Sequence, residues 1–298
     1  MRAVVLALAL ILVAGPPPAT ARTADEVAAV RAAVARYADY DVARREGWRP
    51  FGGDEPLMGR HYHHPDGPDY VHGDPLNLTR PSNLMYADVG GRKVLTGVAF
   101  VVRLGRGEPL PSGFTGRADR WHVHDMERAF AAATETRPLL RGVGEWWMDR
   151  NFRDRGDSRG RLAMVHVWTL PNPDGAFALH NRTLPYLRLG LPGETARGAS
   201  LAAARGVALA TPGGCARATE GQFWVAQVPR RSQRRILNAC GQAADYVRAR
   251  MGQGPAALNR AGETAWAAFA RHRDGILTPA EKRRIAAMAE HDGMMHDH

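Results

Sequence analysis

Histidine is the residue type in this sequence with the greatest capacity for chemistry. Its neutral imidazole binds zinc or copper, and its proton exchanges near neutral pH. The 298 residues include 12 histidines, and these gather in a few places instead of being spread evenly. Eleven of them are in the segment from His61 through His63 and His64 to His72, the pair His122 and His124, the single residues His166 and His180, and the C-terminal group His291, His296 and His298.

The spacing of His122 and His124 suits metal chelation. Both belong to a short predicted strand, and alternate residues of a strand share a face, so the two imidazoles can reach one ion. His166 lies in a second predicted strand that is otherwise apolar, where its polar nitrogens need a partner. If these strands are neighbours in one sheet, the three imidazoles meet, and His61 or His63 completes the shell.

A histidine-built metal site is therefore the leading functional prediction. Three histidines with an open position suit zinc, and an added methionine favours copper. The predicted ligands are His61, His122, His124 and His166, and the secondary candidates are His63, His64, His72 and His180.

Each histidine also has a simpler interpretation. A buried histidine such as His166 is commonly a core residue with a satisfied hydrogen bond. The Asp- and Pro-rich segment from His61 to His72 could be a solvated loop, and the His/Met tail at 291–298 is predicted to be disordered. A non-catalytic envelope protein without metal would hold its histidines far apart.

Whether the protein is an enzyme is left open by the sequence. A metal-bound water could attack a substrate, with Asp125 or Glu145 as the base. The chain has no G-x-S-x-G elbow, P-loop, G-x-G-x-x-G after a strand, or H-E-x-x-H helix. Those absences argue against the enzyme classes that these motifs mark.

An α+β fold is predicted to position these residues. An antiparallel sheet is expected from strands at 83–89, 93–104, 120–124 and 161–170, with Gly90-Gly91 as a hairpin turn. A helix from Thr23 to Gly47 precedes the sheet. Helices at 233–250, 256–271 and from Thr278 to about Glu290 follow it. The composition changes near Gly193, which divides an α+β domain, 22–193, from a helical region, 194–290, that could share its core.

The N-terminus predicts export. Arg2 precedes an apolar run from Val4 to Ala14, and Ala19-Thr20-Ala21 has the small-x-small pattern of a signal peptidase site. The run is shorter than the roughly 20 residues that span a bilayer. We therefore expect residues 1–21 to be removed after Ala21, leaving a periplasmic or secreted protein with no membrane span. Two cysteines in such a compartment, Cys215 and Cys240, are predicted to form a disulfide.

The net charge of +10 does not by itself indicate a nucleic-acid partner. The basic residues are almost all arginine, and they are scattered among acidic residues instead of forming one stripe. We predict no nucleic-acid partner, and a metal ion is the one partner that the sequence indicates.

A set of motifs resembles a family of uncharacterised exported bacterial proteins. The motifs are A-x-x-x-R-Y-x-D-Y-D-V-A-x-x-x-G-W from Ala32 to Trp48, Met58-Gly59-Arg60-His61-Tyr62, and His166-Val167-Trp168 followed by Asn172-Pro173-Asp174-Gly175-Ala176-Phe177. The resemblance covers about half of the chain and implies an architecture, not an activity. It singles out His61 and His166, whereas His63, His64, His122 and His124 are additions of this sequence.

Overall fold

The computed structural model describes residues 19–135, 137, 139–143, 145–146 and 160–289. Helices and antiparallel strands are combined in one chain, with a helix before the sheet and a helical region after it. The α+β class predicted from the sequence is confirmed. Residues 1–18 of the predicted signal peptide and the tail at 291–298 lie outside the described residues.

The four strands predicted for the sheet are confirmed, with ends that differ from the prediction by at most two residues. They are β4 (Asn83–Val89), β5 (Arg92–Leu104), β6 (His122–Asp125) and β7 (Arg161–Trp168). Gly90 and Gly91 form the hairpin turn between β4 and β5, with φ of 58° and 75°. A two-residue turn with both φ values positive matches the twist of the strands that it joins.

Three further strands precede β4. They are β1 (Arg49–Glu55), β2 (Gly59–His63) and the two-residue β3 (Tyr70–Val71). The proline, glycines and charges of β1, and the run of polar residues in β2, have no clear alternation, so they resemble a loop. The expectation of a solvated loop is therefore wrong for His61 and His63, because both lie within β2.

The strands form one sheet in the order β1-β2-β4-β5-β7-β6, with β3 paired in parallel to β5. One face of the sheet carries large apolar side chains such as Tyr86, Val98, Phe100 and Val165. The opposite face carries a smaller buried group made of Met85, Ala99, Trp168 and Ala178. The histidines of β2, β6 and β7 lie on this second face, because they alternate with the residues of the first.

The first helical segment packs on the large apolar face. It comprises α1 (Ala19–Val34), a 3-10 turn (Ala35–Ala38) and α2 (Tyr40–Arg45), where one helix was predicted. Val27, Val30 and Val34 of α1 are buried. Asp39 ends the 3-10 turn and accepts a hydrogen bond from the Asp41 amide, so it starts α2 as an N-cap. The predicted cleavage motif, Ala19 to Ala21, forms the first residues of α1.

The C-terminal region is helical, as predicted, but it begins earlier than the periodicity indicated. Its helices are α4 (Leu184–Arg188), α5 (Leu201–Ala210), α6 (Gly214–Ala226), α7 (Arg230–Arg248), α8 (Pro255–Ile276) and α9 (Pro279–Ala289). An earlier helix, α3 (Met126–Thr134), follows β6 and packs against α6 and α9. The predicted capping box is present, since Thr278 and Glu281 exchange backbone-to-side-chain hydrogen bonds. Among the described residues, no helix is long and apolar enough to cross a membrane.

A disulfide and two ion pairs hold this helical region together and to the sheet. Cys215 of α6 and Cys240 of α7 form the predicted disulfide, with their Cα atoms 5.8 Å apart. Arg188 of α4 and Arg217 of α6 lie 2.6 and 3.5 Å from the carboxylate of Asp54 on β1. The predicted division near Gly193 lies at a 3-10 turn, Gly193–Ala196, and stays a prediction.

Candidate functional site

A band of histidine and methionine side chains crosses one face of the sheet. The backbone register places each histidine directly opposite a residue of a neighbouring strand, and directly opposite residues share a face. The pairs are His61 with Met85, Ala99 with His166, and Met164 with His122. Every member of the band therefore points to the same side of the sheet.

The histidines of this band lie close together in space. The ring centroid of His166 is 5.1 Å from that of His122 and 5.5 Å from that of His61, and those of His122 and His124 are 4.8 Å apart. In a flat sheet, β2 and β7 would be separated by three strand spacings, about 14 Å. The 5.5 Å between His61 and His166 therefore requires the sheet to curl toward this face.

Small residues and a bulge allow that curl. β5 contributes Gly97 and Ala99 at the centre of the face, and a Cβ atom on Gly97 would lie 2.8 Å from the Val167 carbonyl oxygen. The pairing of β4 with β5 shifts register between Met85 and Tyr86, and a bulge bends the strand that contains it. Both features lie on the face of the sheet that carries the imidazoles.

The tautomer of His166 follows from a single hydrogen bond. Its Nδ1–H donates to the Leu179 carbonyl at 3.1 Å, which leaves Nε2 with its lone pair facing the interior. This Nε2 is buried and has no hydrogen-bond partner. A backbone carbonyl on one ring nitrogen and a bare second nitrogen is the arrangement of a metal-ligating histidine with its outer-shell support.

His61 and His122 also contain buried nitrogens that lack hydrogen bonds. In His61 the atom is Nε2, and in His122 both ring nitrogens are in this state. The Arg120 backbone is close enough to His122 to raise its pKa as a weak hydrogen-bond acceptor, but the contact does not have the geometry of a normal hydrogen bond. A buried polar atom without a partner costs about 1–3 kcal/mol, so three such rings in one place call for an explanation.

Burial keeps these rings neutral. Burial, followed by the nearby His124, lowers the pKa of His61 to about 4 and that of His122 to about 3. The pKa of His166 is held well below its usual value by burial and then by His122 and His61. Near pH 7 the lone pairs of all three rings are therefore available without the loss of a proton.

The predicted ligands come together, whereas most of the secondary candidates do not. His124 is close enough to influence the pKa of His61, and His180 that of His122. Burial, followed by the charge of Arg205, lowers the pKa of His180 itself to about 4. The remaining three are used elsewhere: His64 packs against Trp48 and bonds to the Glu46 carbonyl, His72 lies 3.8 Å from Glu108, and His63 is exposed beside Phe51.

The acidic residues predicted as possible bases, Asp125 and Glu145, are placed differently in the described structure. Asp125 follows His124 directly, but its carboxylate caps α3 by accepting a hydrogen bond from the Arg128 amide at 2.8 Å. Glu145 is exposed. The site is thus built from neutral nitrogen and sulfur side chains around His166.

The described part of the chain contains no group of three His, Cys, Asp or Glu side chains already arranged to hold a metal ion. The rings are neighbours, but their nitrogens do not converge on one point. Sequence reasoning identified the histidines and missed the facing Met85 and the small Gly97 and Ala99. The alternation of β4 and β5 carries that signal, because Met85 and Ala99 occupy the face opposite to the large apolar residues.

The chain was compared with known protein families, curated proteins and solved structures. No protein-family model, curated protein or solved structure matches the chain. The resemblance to exported bacterial proteins accordingly stays a prediction.

Proposed function

We propose that this is an exported metal-binding protein in which His61, His122 and His166 hold one copper or zinc ion. The observation that carries the proposal is the meeting of three imidazoles, each of which has at least one buried ring nitrogen without a hydrogen bond. A structural histidine would use both nitrogens or expose one of them to water. One metal ion would give a partner to Nε2 of His61, to Nε2 of His166 and to one of the two ring nitrogens of His122.

The spacing of the rings supports this proposal. With metal–nitrogen bonds of about 2.0–2.1 Å and tetrahedral angles, two ligating imidazoles have ring centroids roughly 5 Å apart. The centroids of His166 and its two partners are 5.1 and 5.5 Å apart. Binding would then need rotation of the rings about their side-chain bonds, with little movement of the backbone. His124 or His180 would supply a fourth ligand.

The proposed compartment rests on separate observations. The first residues have the charge, apolar run and small-x-small pattern of an export signal. The disulfide between Cys215 and Cys240 is consistent with an oxidising compartment, where such bonds persist. The N-terminal sequence pattern and the disulfide are separate features of the chain, so each supports the proposed compartment independently.

A titration of the purified protein tests the proposal. Zinc or copper should bind with one ion per chain, and His61→Ala, His122→Ala and His166→Ala should each weaken binding by at least about tenfold. His272→Ala is the matched control, because His272 is exposed on α8. The proposal fails if no metal binds, or if the site variants and the His272 variant bind equally well.

The alternative of a metal-dependent hydrolase has less support. It needs a base near the metal, and the Asp125 carboxylate already caps α3. Holding a metal is therefore the function that the observations favour.

A further inference from the structure

Methionine side chains gather on the same face of the sheet as the histidines. Met58, Met85 and Met164 pack in one cluster with Ala99, Trp168 and Ala178. Met85 is fully buried there, and the other two are partly buried. Methionine elsewhere in the fold fills ordinary core space, as Met251 does against the helical cluster.

The strand register brings two of these thioethers beside the proposed ligands. Met85 is directly opposite His61, and Met164 is directly opposite His122. Side chains at such positions have Cβ atoms about 4.5–5.5 Å apart. Met164 is also two residues before His166 on β7, so it shares that face as well. The unbranched methionine side chain has the flexibility to turn its sulfur toward a central point.

The ligand set indicates which kind of ion the site would accept. A thioether is a soft ligand that selects copper(I) and contributes little to zinc. Every ligand named here is also uncharged, since a thioether carries no charge and an imidazole binds a metal in its neutral form. Burying a charge is costly, and the Born cost rises with the square of that charge. A monovalent ion therefore suits this buried neutral site better than a divalent ion without a carboxylate.

We infer that the site is selective for copper(I), with the sulfurs of Met85 and Met164 as ligands beside His61, His122 and His166. The inference rests on the proposed metal-binding function and narrows it to one ion. Along β7, His166 lies between Met164 and Trp168, whose register partner Gly97 is opposite Met85. Met58 packs against the same cluster. The role assigned to the methionines is to add affinity for copper(I) without adding affinity for zinc.

Copper(I) affinity measured by competition with bicinchoninate, in ascorbate and without oxygen, tests the inference. The full-length mature chain is compared with Met85→Leu, Met164→Leu and the double variant, and zinc affinity is measured in parallel. Leucine keeps the side-chain volume, so the fold should persist. We expect the double variant to lose copper(I) affinity by at least about tenfold, as for removal of metal-site support, while zinc affinity stays unchanged. Met251→Leu is the control.

The outcomes separate the inference from the function on which it rests. If zinc binds in a histidine-dependent way but the methionine variants hold copper(I) as tightly as the parent, the inference is wrong and the metal site stands. If the double variant loses both ions equally, the methionines act only through packing, which also overturns the inference. If neither ion binds the parent chain, the proposed function itself fails. X-ray absorption of the copper(I) form should show sulfur scattering that the double variant lacks.

Discussion

The histidines of the site are held neutral by their surroundings. Burial lowers the pKa of His61 to about 4 and of His122 to about 3, and it lowers that of His166 well below the usual value. Their neighbours are other imidazoles, so each proton that enters would raise the cost of the next. Low pH should therefore destabilise the metal-free protein, because the rings are protonated more easily in the unfolded chain.

Stability of the metal-free protein should therefore depend on pH in a definite direction. A histidine whose pKa is lower in the folded state binds more protons when unfolded, so its contribution is complete above about pH 6.5. It is lost as the pH falls from there toward 4 and 3. For each such histidine, the free energy of unfolding falls by up to about 1.4 kcal/mol for each unit by which the pH decreases.

Denaturant unfolding between pH 7.5 and 4 measures this slope. The variant His122→Gln removes one titrating ring and should flatten the slope, whereas His272→Gln on exposed α8 should leave it unchanged. Equal slopes in the parent and the His122 variant would contradict the assigned burial.

Metal retention by the same residues is expected to persist into mild acid. Protons compete with a metal at a histidine only when the pH approaches the pKa of the free ring. Because the pKa values of His61 and His122 lie near 4 and 3, release of the metal should begin below pH 5, not near 6.5. Equilibrium dialysis across this range measures it. Half-release near pH 6.5 would show that the rings titrate as exposed histidines do.

At the level of elements, β5 determines whether the site can form. Gly97 and Ala99 occupy the centre of the histidine face, and the Gly97 backbone approaches β7 so closely that a Cβ atom would lie 2.8 Å from the Val167 oxygen. A side chain at this point would push β5 from β7 and open the curl of the sheet.

Gly97→Ala should accordingly weaken both the fold and the metal site. We expect a loss of about 1–3 kcal/mol of unfolding free energy, as for other overpacked positions, together with weaker metal binding. Gly221→Ala is a matched control, since Gly221 lies exposed in α6 with open space around it. That change should stabilise the helix by up to about 1 kcal/mol. Chemical denaturation and metal titration of both variants provide the comparison, and a neutral Gly97 variant would refute the role of β5.

The elements that the sequence predicts are those with a local sequence pattern. The apolar runs of β4, β5 and β7 and the Thr278 capping box are local signals, and all were predicted. β1 and β2 lack an apolar alternation, because edge positions and the His face place polar residues there, so they resembled a loop. The meeting of His61 with His166 depends on the curl of the sheet, which arises from contacts between distant residues. No local pattern encodes it.

Across the whole molecule, the helical region and the sheet have separate stabilising features. The disulfide closes a loop between α6 and α7, at a sequence separation of 25 residues. None of the histidines of the site contacts this pair, since they lie on β2, β6 and β7. Loss of the disulfide should therefore affect stability more than metal binding.

The double variant Cys215→Ala/Cys240→Ala tests that separation. We expect it to lose on the order of 3 kcal/mol of unfolding free energy, mainly because the unfolded chain is no longer constrained. The metal affinity of the folded protein should stay within about twofold of the parent, because distant sites act independently. Thermal unfolding with and without metal supplies both numbers. A large fall in affinity would show that the helical region shapes the site.

The curl of the sheet also means that the sheet must fold before the metal site can form. His61, His122 and His166 come from strands far apart in the sequence, and the site closes only after β4 and β5 have brought β2 to β7. An emerging or partly unfolded chain would offer single imidazoles but no common site, since long loops must first be closed. Capture of the ion would then be a late event, and its occurrence would report that the sheet is complete.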